Sequence, residues 1–179
     1  MRLFVGCSSK NGIDKKYLDN CSELVKSLAD IPDIELVYGN DTGGMMGIAY
    51  REFSGRGRKL IAVSTEYHYK LDTKKAYDEI IVTDTTTGRF EEIHKNSDVL
   101  LFLPGGLGTL AELFSAIEEH RIEKGKKIIL YNDNYFYTPI IEKLFKLHQE
   151  GFVDEVPADY MIIESDIKKI IELVKEEMD

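Results

Sequence analysis

The sequence predicts a doubly wound, Rossmann-like α/β fold, in which a mostly parallel sheet of about seven strands carries helices on both faces. Two observations support this prediction. Short β-rich runs alternate with helical patterns from one end of the chain to the other, which is typical of a parallel sheet covered on both faces. Glycine-rich segments follow most of these runs, where the ligand-binding loops of such a sheet lie.

Each strand is predicted from a short run of apolar and β-branched residues that is flanked by polar or glycine-containing sequence. The predicted strands, in chain order, are Arg2–Val5, Ile34–Tyr38, Lys59–Val63, Glu79–Thr83, Val99–Leu103, Lys127–Tyr131 and Tyr160–Ile163.

The helices are predicted from apolar residues at helical spacing between these runs. They are Asp14–Leu28, Gly44–Phe53, Arg89–Asn96, Thr109–Lys124, Tyr137–Glu150 and Ser165–Glu177. The polar and aromatic stretch Ser64–Tyr77 has no period, so it is predicted to be a long loop.

Composition limits the class of protein. A length of 179 residues suits one domain, residues 1–179, with an ordinary hydrophobic core. The 43% apolar content contains no run near the roughly 20 residues of a membrane span, so we expect no membrane partner. The amino-terminal sequence enters a strand-like run directly, which predicts a cytoplasmic protein.

The net charge, the cysteines and the histidines argue against three further classes of protein: those that bind nucleic acid, those held by disulfides and those that bind a metal. A net charge of −9 makes nucleic acid a poor partner, because binding phosphate backbones needs a basic surface. Cys7 and Cys21 are not in a C-x-x-C arrangement and are expected to be buried or idle thiols. The four histidines lack paired metal-ligand spacing, so neither a metal nor another cofactor is predicted.

The segment LPGGLGTLAELFSAIEE, from Leu103 to Glu119, allows two interpretations. Thr109 and Glu112 have the spacing of a capping box, in which the hydroxyl caps the helix and the carboxylate reaches back to the Thr109 amide. The turn also contains more glycine than a cap requires. Such a turn exposes backbone N–H groups at a helix start, which favours an anion-binding site.

Two other phosphate-binding motifs fit this segment less well. The lysine of a Walker loop is missing. Gly106, Gly108 and Ala111 satisfy G-x-G-x-x-A, but that fingerprint normally follows the first strand and has an acidic residue about 20 positions later. Here it follows the fifth predicted strand and Asp133 comes late, so dinucleotide binding is disfavoured.

The nine residues PGGLGTLAE resemble the P-G-G-x-G-T-x-x-E motif of the LOG ("lonely guy") family. Its members are cytokinin riboside 5′-monophosphate phosphoribohydrolases that are often labelled lysine decarboxylases. The segments VGCSS, ELVYGNDTGGMMG and YNDNYFYTPIIEKLFKLHQEGFV are similar to other family segments, so the resemblance covers nearly the whole chain. A lysine decarboxylase is disfavoured here, because no lysine is expected in a strand-end pocket suited to a pyridoxal Schiff base.

The resemblance implies roles for particular residues. Arg89 lies fifteen residues before Pro104, at the place of the family's arginine, and with Glu112 it is implied to be catalytic. The alternative for Arg89 is the start of a short surface helix. The implied phosphate-binding residues are Gly105, Gly106, Gly108 and Thr109, and the implied substrate-binding residues are Ser8, Gly43, Gly44 and Met46.

The chain also departs from the family pattern. Thr86 and Phe90 stand where the family has methionine and lysine, and Asn40 and Asp41 replace a glycine pair. Cys7 replaces another glycine. Glu119 and Arg121 stand where tryptophan and glutamine are frequent. These departures leave the identity of the base, and the hydrolytic step itself, open.

The resemblance implies hydrolysis of the N-glycosidic bond of a nucleoside 5′-monophosphate, which gives free base and ribose 5-phosphate. One alternative is a nucleotide-binding or carrier protein of the same fold that has no chemistry. Another is a nucleoside deoxyribosyltransferase-like enzyme that passes the sugar to a second base. A nucleotide or related small phosphorylated ligand is the implied partner, and a homodimer is the implied assembly.

Overall fold

The computed structural model describes residues 1–71, 77–123 and 125–178 and contains a seven-stranded sheet in which all neighbouring strands are parallel. The strands are β1 (Arg2–Gly6), β2 (Glu35–Tyr38), β3 (Leu60–Thr65), β4 (Glu79–Thr83), β5 (Val99–Phe102), β6 (Lys127–Tyr131) and β7 (Ile162–Glu164). Their order across the sheet is β4-β3-β2-β1-β5-β6-β7. The predicted fold class is therefore confirmed.

Helices connect these strands. They are α1 (Lys15–Ala29), α2 (Gly44–Ser54), α3 (Glu66–Leu71), α4 (Thr86–Lys95), α5 (Leu107–Glu123), α6 (Thr138–Gln149), α7 (Pro157–Tyr160) and α8 (Ile167–Lys175), with a short 3₁₀ turn at Asp133–Tyr135. No helix in the part of the chain that the structure describes is long and apolar enough to cross a bilayer.

The sheet separates two apolar cores because successive side chains of a strand point to opposite faces. Leu3 and Val5 of β1 join one core, which also contains Leu24 of α1. Phe4 joins the other core, together with Leu113 of α5. Each such aliphatic side chain contributes roughly 1.5–3 kcal/mol when fully buried, so the two layers hold the helices against the sheet.

The strand order reverses next to β1, and this reversal positions the candidate site. Leu3 of β1 pairs with Leu36 of β2 on one side and with Val99 of β5 on the other. The chain therefore leaves β1 toward one side of the sheet and leaves β5 toward the other. The loops after these strands diverge and open a crevice at their carboxyl ends.

The prediction of a loop over Ser64–Tyr77 was wrong for most of that segment. Ser64 and Thr65 extend β3, and residues 66–71 form α3, where Glu66 and Lys70 are an i, i+4 ion pair of 2.5 Å. That pairing favours a helix although the segment has no apolar period. Residues 72–76 of the predicted loop lie outside the described residues.

Capping explains the differences at the starts of two helices. The α4 helix begins at Thr86, three residues before the predicted start, because the Thr85 hydroxyl accepts a hydrogen bond of 3.0 Å from the Gly88 amide. The last helix begins later than predicted, at Ile167, because Asp166 accepts a 2.8 Å bond from the Lys168 amide.

The last strand also differs from its prediction. The first residue of the predicted strand, Tyr160, belongs to α7, which begins with a proline at residue 157. The Asp159 side chain accepts a 2.8 Å bond from the Val156 amide and so supports this helical turn. As a result, β7 begins two residues later than predicted.

Candidate functional site

One cleft lies at the carboxyl ends of β1, β2, β3 and β5, where the strand order reverses. Its volume is about 610 Å³, which lies within the usual range for small-molecule sites. Ten residues were predicted from the sequence to form the site. Seven of them line this cleft: Ser8, Met46, Arg89, Gly106, Gly108, Thr109 and Glu112. The other three, Gly43, Gly44 and Gly105, lie beside the cleft and do not line it.

The centre of the cleft is an ion pair between α4 and α5. Arg89 Nη1 lies 2.6 Å from Glu112 Oε1, and the two side chains are 15% and 8% exposed. Burial raises the pKa of the Glu112 carboxyl, and the Arg89 guanidinium opposes this rise without cancelling it. A carboxyl group with a raised pKa is closer to the range in which a side chain exchanges protons near neutrality.

A backbone bond and a glycine hold the arginine of this pair. Arg89 Nε donates a 3.0 Å hydrogen bond to the carbonyl oxygen of Val63 in β3. A Cβ at Gly39, just after β2, would lie 2.8 Å from Arg89 Nη2 and 3.1 Å from Met46 Cε. A larger residue at this position would push the guanidinium or the end of the Met46 side chain aside. Arg89 is therefore held inside the cleft, and it does not begin a surface helix.

The glycine-rich turn after β5 forms a further part of the cleft wall. Gly106, Leu107 and Gly108 are exposed, and the first amides of α5 have no partner within the helix. The Thr109 side chain is 4% exposed and packs so closely on Gly105 that a Cβ there would overlap it. The turn thus presents free N–H groups and the positive end of a helix dipole to the cleft.

Of the two interpretations that the sequence allowed for this turn, the capping box was wrong. The α5 helix begins at Leu107, and the Leu110 amide donates a 3.0 Å bond to the Gly106 carbonyl oxygen. Thr109 therefore lies inside the first turn. Glu112 extends sideways to Arg89 and does not return to the helix start. The carboxylate is accordingly available to the cleft.

The start of α2 satisfies its own amides with side chains of this protein. The Gly43 amide donates to Asp41 Oδ1 at 2.8 Å, and the Gly44 amide donates to Asn11 Oδ1 at 2.9 Å. Gly44 has a φ of +51°, and a Cβ there would lie 2.5 Å from the Lys10 carbonyl oxygen. Both glycines thus seat the loop after β1 against α2. A direct role in binding substrate stays a prediction for them.

The cleft also contains side chains to which the sequence assigned no role. Lys10, Ser64 and His68 line it, and so does Asp41. The expectation that no lysine lies at the strand ends was wrong for Lys10. His68 was missed because α3 was predicted as a loop; its position three residues after the end of β3 was the available signal.

Two observations narrow the chemistry of the cleft. Cys7 is buried in its lining, and burial raises the pKa of its thiol well above the ordinary value, with Cys21, Glu112 and Asp41 adding to the rise. The thiol therefore stays protonated and is a poor nucleophile. Within residues 1–71, 77–123 and 125–178, no group of three His, Cys, Asp or Glu side chains is placed to hold a metal ion.

Phe90, which replaces the family's lysine, lies outside the cleft. It lines a separate groove of about 120 Å³ between α4 and α5, on the other side of Glu112. The aromatic ring therefore adds apolar surface behind the carboxylate.

The class of this protein is defined by a parallel α/β sheet that carries a glycine-rich turn and a buried arginine–glutamate pair at its switch point. Residues 46–174 match a family model described as "Possible lysine decarboxylase". The chain is 31% identical to cytokinin riboside 5′-monophosphate phosphoribohydrolase LOG1 of Arabidopsis thaliana, over 98% of this chain and 83% of that protein. It is 29% identical to a protein of Oryza sativa subsp. japonica named as the probable cytokinin riboside 5′-monophosphate phosphoribohydrolase LOGL2, over 98% of this chain and 72% of that protein. The chain belongs to the LOG family.

Solved structures share the fold. The molybdenum cofactor carrier protein of Chlamydomonas reinhardtii superposes with a TM-score of 0.73 at 21% identity, covering 99% of this chain and 97% of that one. The molybdenum cofactor binding protein of Rippkaea orientalis superposes with a TM-score of 0.69 at 24% identity, with the same coverage. At these identities the likeness concerns the fold alone.

Proposed function

We propose that this protein hydrolyses the N-glycosidic bond of a nucleoside 5′-monophosphate and releases free base and ribose 5-phosphate. The observation that carries the proposal is the buried Arg89–Glu112 pair, which lies in one cleft with the exposed amides of the α5 start. A phosphorylated sugar substrate requires a site that binds its phosphate and, beside it, a carboxylate in a fixed position that acts on the sugar. Relatives named as phosphoribohydrolases support the same reaction.

In this proposal the phosphate binds at the turn after β5. The amides of residues 106–109 and the Thr109 hydroxyl hold its oxygens, and Gly105 allows the turn to close on Thr109. Ser8 and Met46 form the wall on the side of β1 and α2. Binding the phosphate fixes the ribose relative to the carboxylate, so binding energy from a non-reacting group lowers the barrier to bond cleavage.

Glu112 then acts on the sugar. A carboxylate beside C1′ stabilises the oxocarbenium-like transition state and takes a proton from the attacking water. Arg89 hydrogen-bonds to the ribose or the base and stabilises the negative charge that develops on the departing base. Its bond to Val63 and its ion pair with Glu112 hold the guanidinium in place before substrate arrives.

One observation favours the carrier alternative. The Asp41 carboxylate lines the same cleft, at a position where the family has glycine, and it adds a negative charge near the place proposed for a phosphate. A protein that binds a nucleotide without cleaving it is the second candidate function.

The test is incubation of the purified protein with adenosine, guanosine, cytidine and uridine 5′-monophosphates and with the same nucleosides without phosphate. Chromatography then measures free base and ribose 5-phosphate. The proposal predicts equal amounts of both products from at least one nucleotide, and little from its nucleoside. A nucleotide that raises the melting temperature without releasing base would instead support the carrier function. Base release that requires a second base would indicate sugar transfer.

We also propose that the protein is a cytoplasmic homodimer of one domain per chain. The homodimer is supported by α5, which exposes Leu107, Phe114 and Ile122 at 86%, 44% and 73%. Their spacing places them on one side of the helix, beside the cleft. An exposed apolar strip of this kind is typical of a surface that a partner subunit covers.

A further inference from the structure

We propose that His68 is the general acid that protonates a departing purine base; this inference rests on the proposed hydrolysis. His68 lines the same cleft as Arg89 and Glu112. The α3 helix that carries it follows β3 directly, and the arginine is bonded to Val63 of that strand. One strand therefore positions both groups.

The imidazole ring has a defined partner. His68 Nδ1 lies 2.9 Å from the Thr65 hydroxyl oxygen, and Thr65 is 7% exposed at the end of β3, where it pairs with Thr83 of β4. No side chain among the described residues bonds to His68 Nε2, and this nitrogen is thus available to a ligand. One ring nitrogen is held by the sheet and the other is free, which is the usual arrangement of an acid–base histidine.

The Thr65 hydroxyl suits both protonation states of the imidazole. It accepts a hydrogen bond from Nδ1–H of the imidazolium, and it still accepts from Nδ1–H of the neutral ring that remains once the Nε2 proton has left. The ring therefore keeps its partner while the Nε2 proton is transferred and returned.

The proposed reaction needs a proton donor that the Arg89–Glu112 pair does not supply. Cleavage leaves the electron pair of the broken bond, and with it a negative charge, on the base. Protonation of the base neutralises this charge and is the main way in which a purine becomes a good leaving group. Arg89 is permanently protonated and cannot donate. Glu112 must be ionised in order to take the proton of water. Lys10 also lines the cleft, but it follows β1 and is not carried by the strand that positions Arg89.

The C1′–N9 bond breaks and its electron pair moves into the purine ring, while the Nε2 proton of the His68 imidazolium goes to N7. Water attacks C1′, forms the new C–O bond and gives its proton to Glu112. Free base and ribose 5-phosphate leave, and the proton on Glu112 returns to His68 through solvent. No oxidant, metal or second substrate is consumed.

The experiment compares two leaving groups in wild type and in His68→Gln. The substrates are whichever of adenosine and guanosine 5′-monophosphate wild type cleaves faster and its N7-methyl derivative, whose purine ring already carries a positive charge and leaves without protonation. We expect His68→Gln to lower kcat on the parent nucleotide by about 10²-fold or more. On the N7-methyl nucleotide the loss should be under about threefold. Thr65→Val should reproduce this pattern with smaller losses.

The controls separate the possible failures. His148→Gln, on α6 and away from the cleft, should leave both rates unchanged. His68 is exposed, so the His68→Gln variant should fold, and its melting temperature checks this. Equal losses on both substrates, or no loss on either, would overturn the role of His68 while the hydrolysis stands. If wild type releases base from neither purine nucleotide, the purine hydrolysis on which the inference rests fails as well.

Discussion

Gly39 connects backbone geometry to the chemistry of the cleft. It lies just after β2, and its Cα faces the Arg89 guanidinium and the end of the Met46 side chain. Arg89 is held from the other side by its bond to Val63, so it has little room to move. The position of the catalytic arginine in the proposed reaction therefore depends on the absence of a side chain at Gly39, in the loop after β2.

The prediction is that Gly39→Ala lowers kcat/KM for the nucleotide by about 10²-fold, because a misplacement of about 1 Å in a catalytic group has an effect of this size. The atoms in the way are the ends of two flexible side chains, so the free energy of unfolding should fall by less than the roughly 1–3 kcal/mol that overpacking of a rigid core costs. Steady-state kinetics and urea unfolding measure the two effects. Gly12→Ala is the control, since nothing lies within 4 Å of a Cβ at that position. Equal activity of the two variants would contradict the role given to Gly39.

At the scale of the element, the first turns of α2 and α5 differ in what satisfies their amides. In α2, the Gly43 and Gly44 amides bond to Asp41 and Asn11, which are side chains of the protein itself. In α5, the exposed first turn opens onto the cleft. An anion is therefore expected at α5 only, and Asp41 contributes repulsion from the neighbouring helix start.

Two substitutions at Asp41 separate its charge from its hydrogen bond. Asp41→Asn keeps an oxygen acceptor for the Gly43 amide but removes the charge, so nucleotide affinity should rise about two- to fivefold with little change in stability. Asp41→Ala also removes the acceptor and should cost about 1 kcal/mol in the free energy of unfolding. Calorimetric titration and urea unfolding measure these effects. Weaker nucleotide binding by Asp41→Asn would show that the carboxylate takes part in binding.

Element types were predictable where the hydrophobic pattern was strong, and boundaries were not. The strand β5 and the helix α5 followed from an apolar run and from helical spacing. The starts of α4 and α5 depend on single hydrogen bonds, such as the one from the Gly88 amide to Thr85, and on where the chain packs. The Thr109–Glu112 spacing satisfied a capping box, but a buried arginine on a neighbouring helix was a stronger partner for the carboxylate.

At the scale of the whole molecule, the sheet order assembles the site from segments far apart in sequence. The crevice beside β1 brings the loop after β1, the loop after β2 and the start of α5 together, and the glycines after these strands were sufficient to predict this edge. The contribution of α3 was not predictable in the same way. A short helix held by one ion pair has no period that a sequence pattern detects, so His68 was left without a role.

The proposed assembly predicts the effect of a charge on α5. Phe114→Lys should convert a dimer into a monomer in sedimentation or light-scattering measurements, because it places a charge in a contact that excludes water. Phe152→Lys is the matched control: Phe152 is also exposed, at 74%, and it follows α6 rather than lying on α5. Identical masses for wild type and both variants would show that α5 does not form the contact.

The role of the Glu112 carboxylate is tested by the rate at which Glu112→Gln releases free base from the nucleotide that wild type cleaves best. The substitution keeps the size of the side chain and a hydrogen-bond acceptor for Arg89 but removes the carboxylate. Glu118→Gln, on the exposed side of the same helix, is the control. We predict a loss of about 10²–10⁴-fold in kcat for Glu112→Gln and no loss for Glu118→Gln. Base release by Glu112→Gln at the wild-type rate would show that this carboxylate does not perform the hydrolysis.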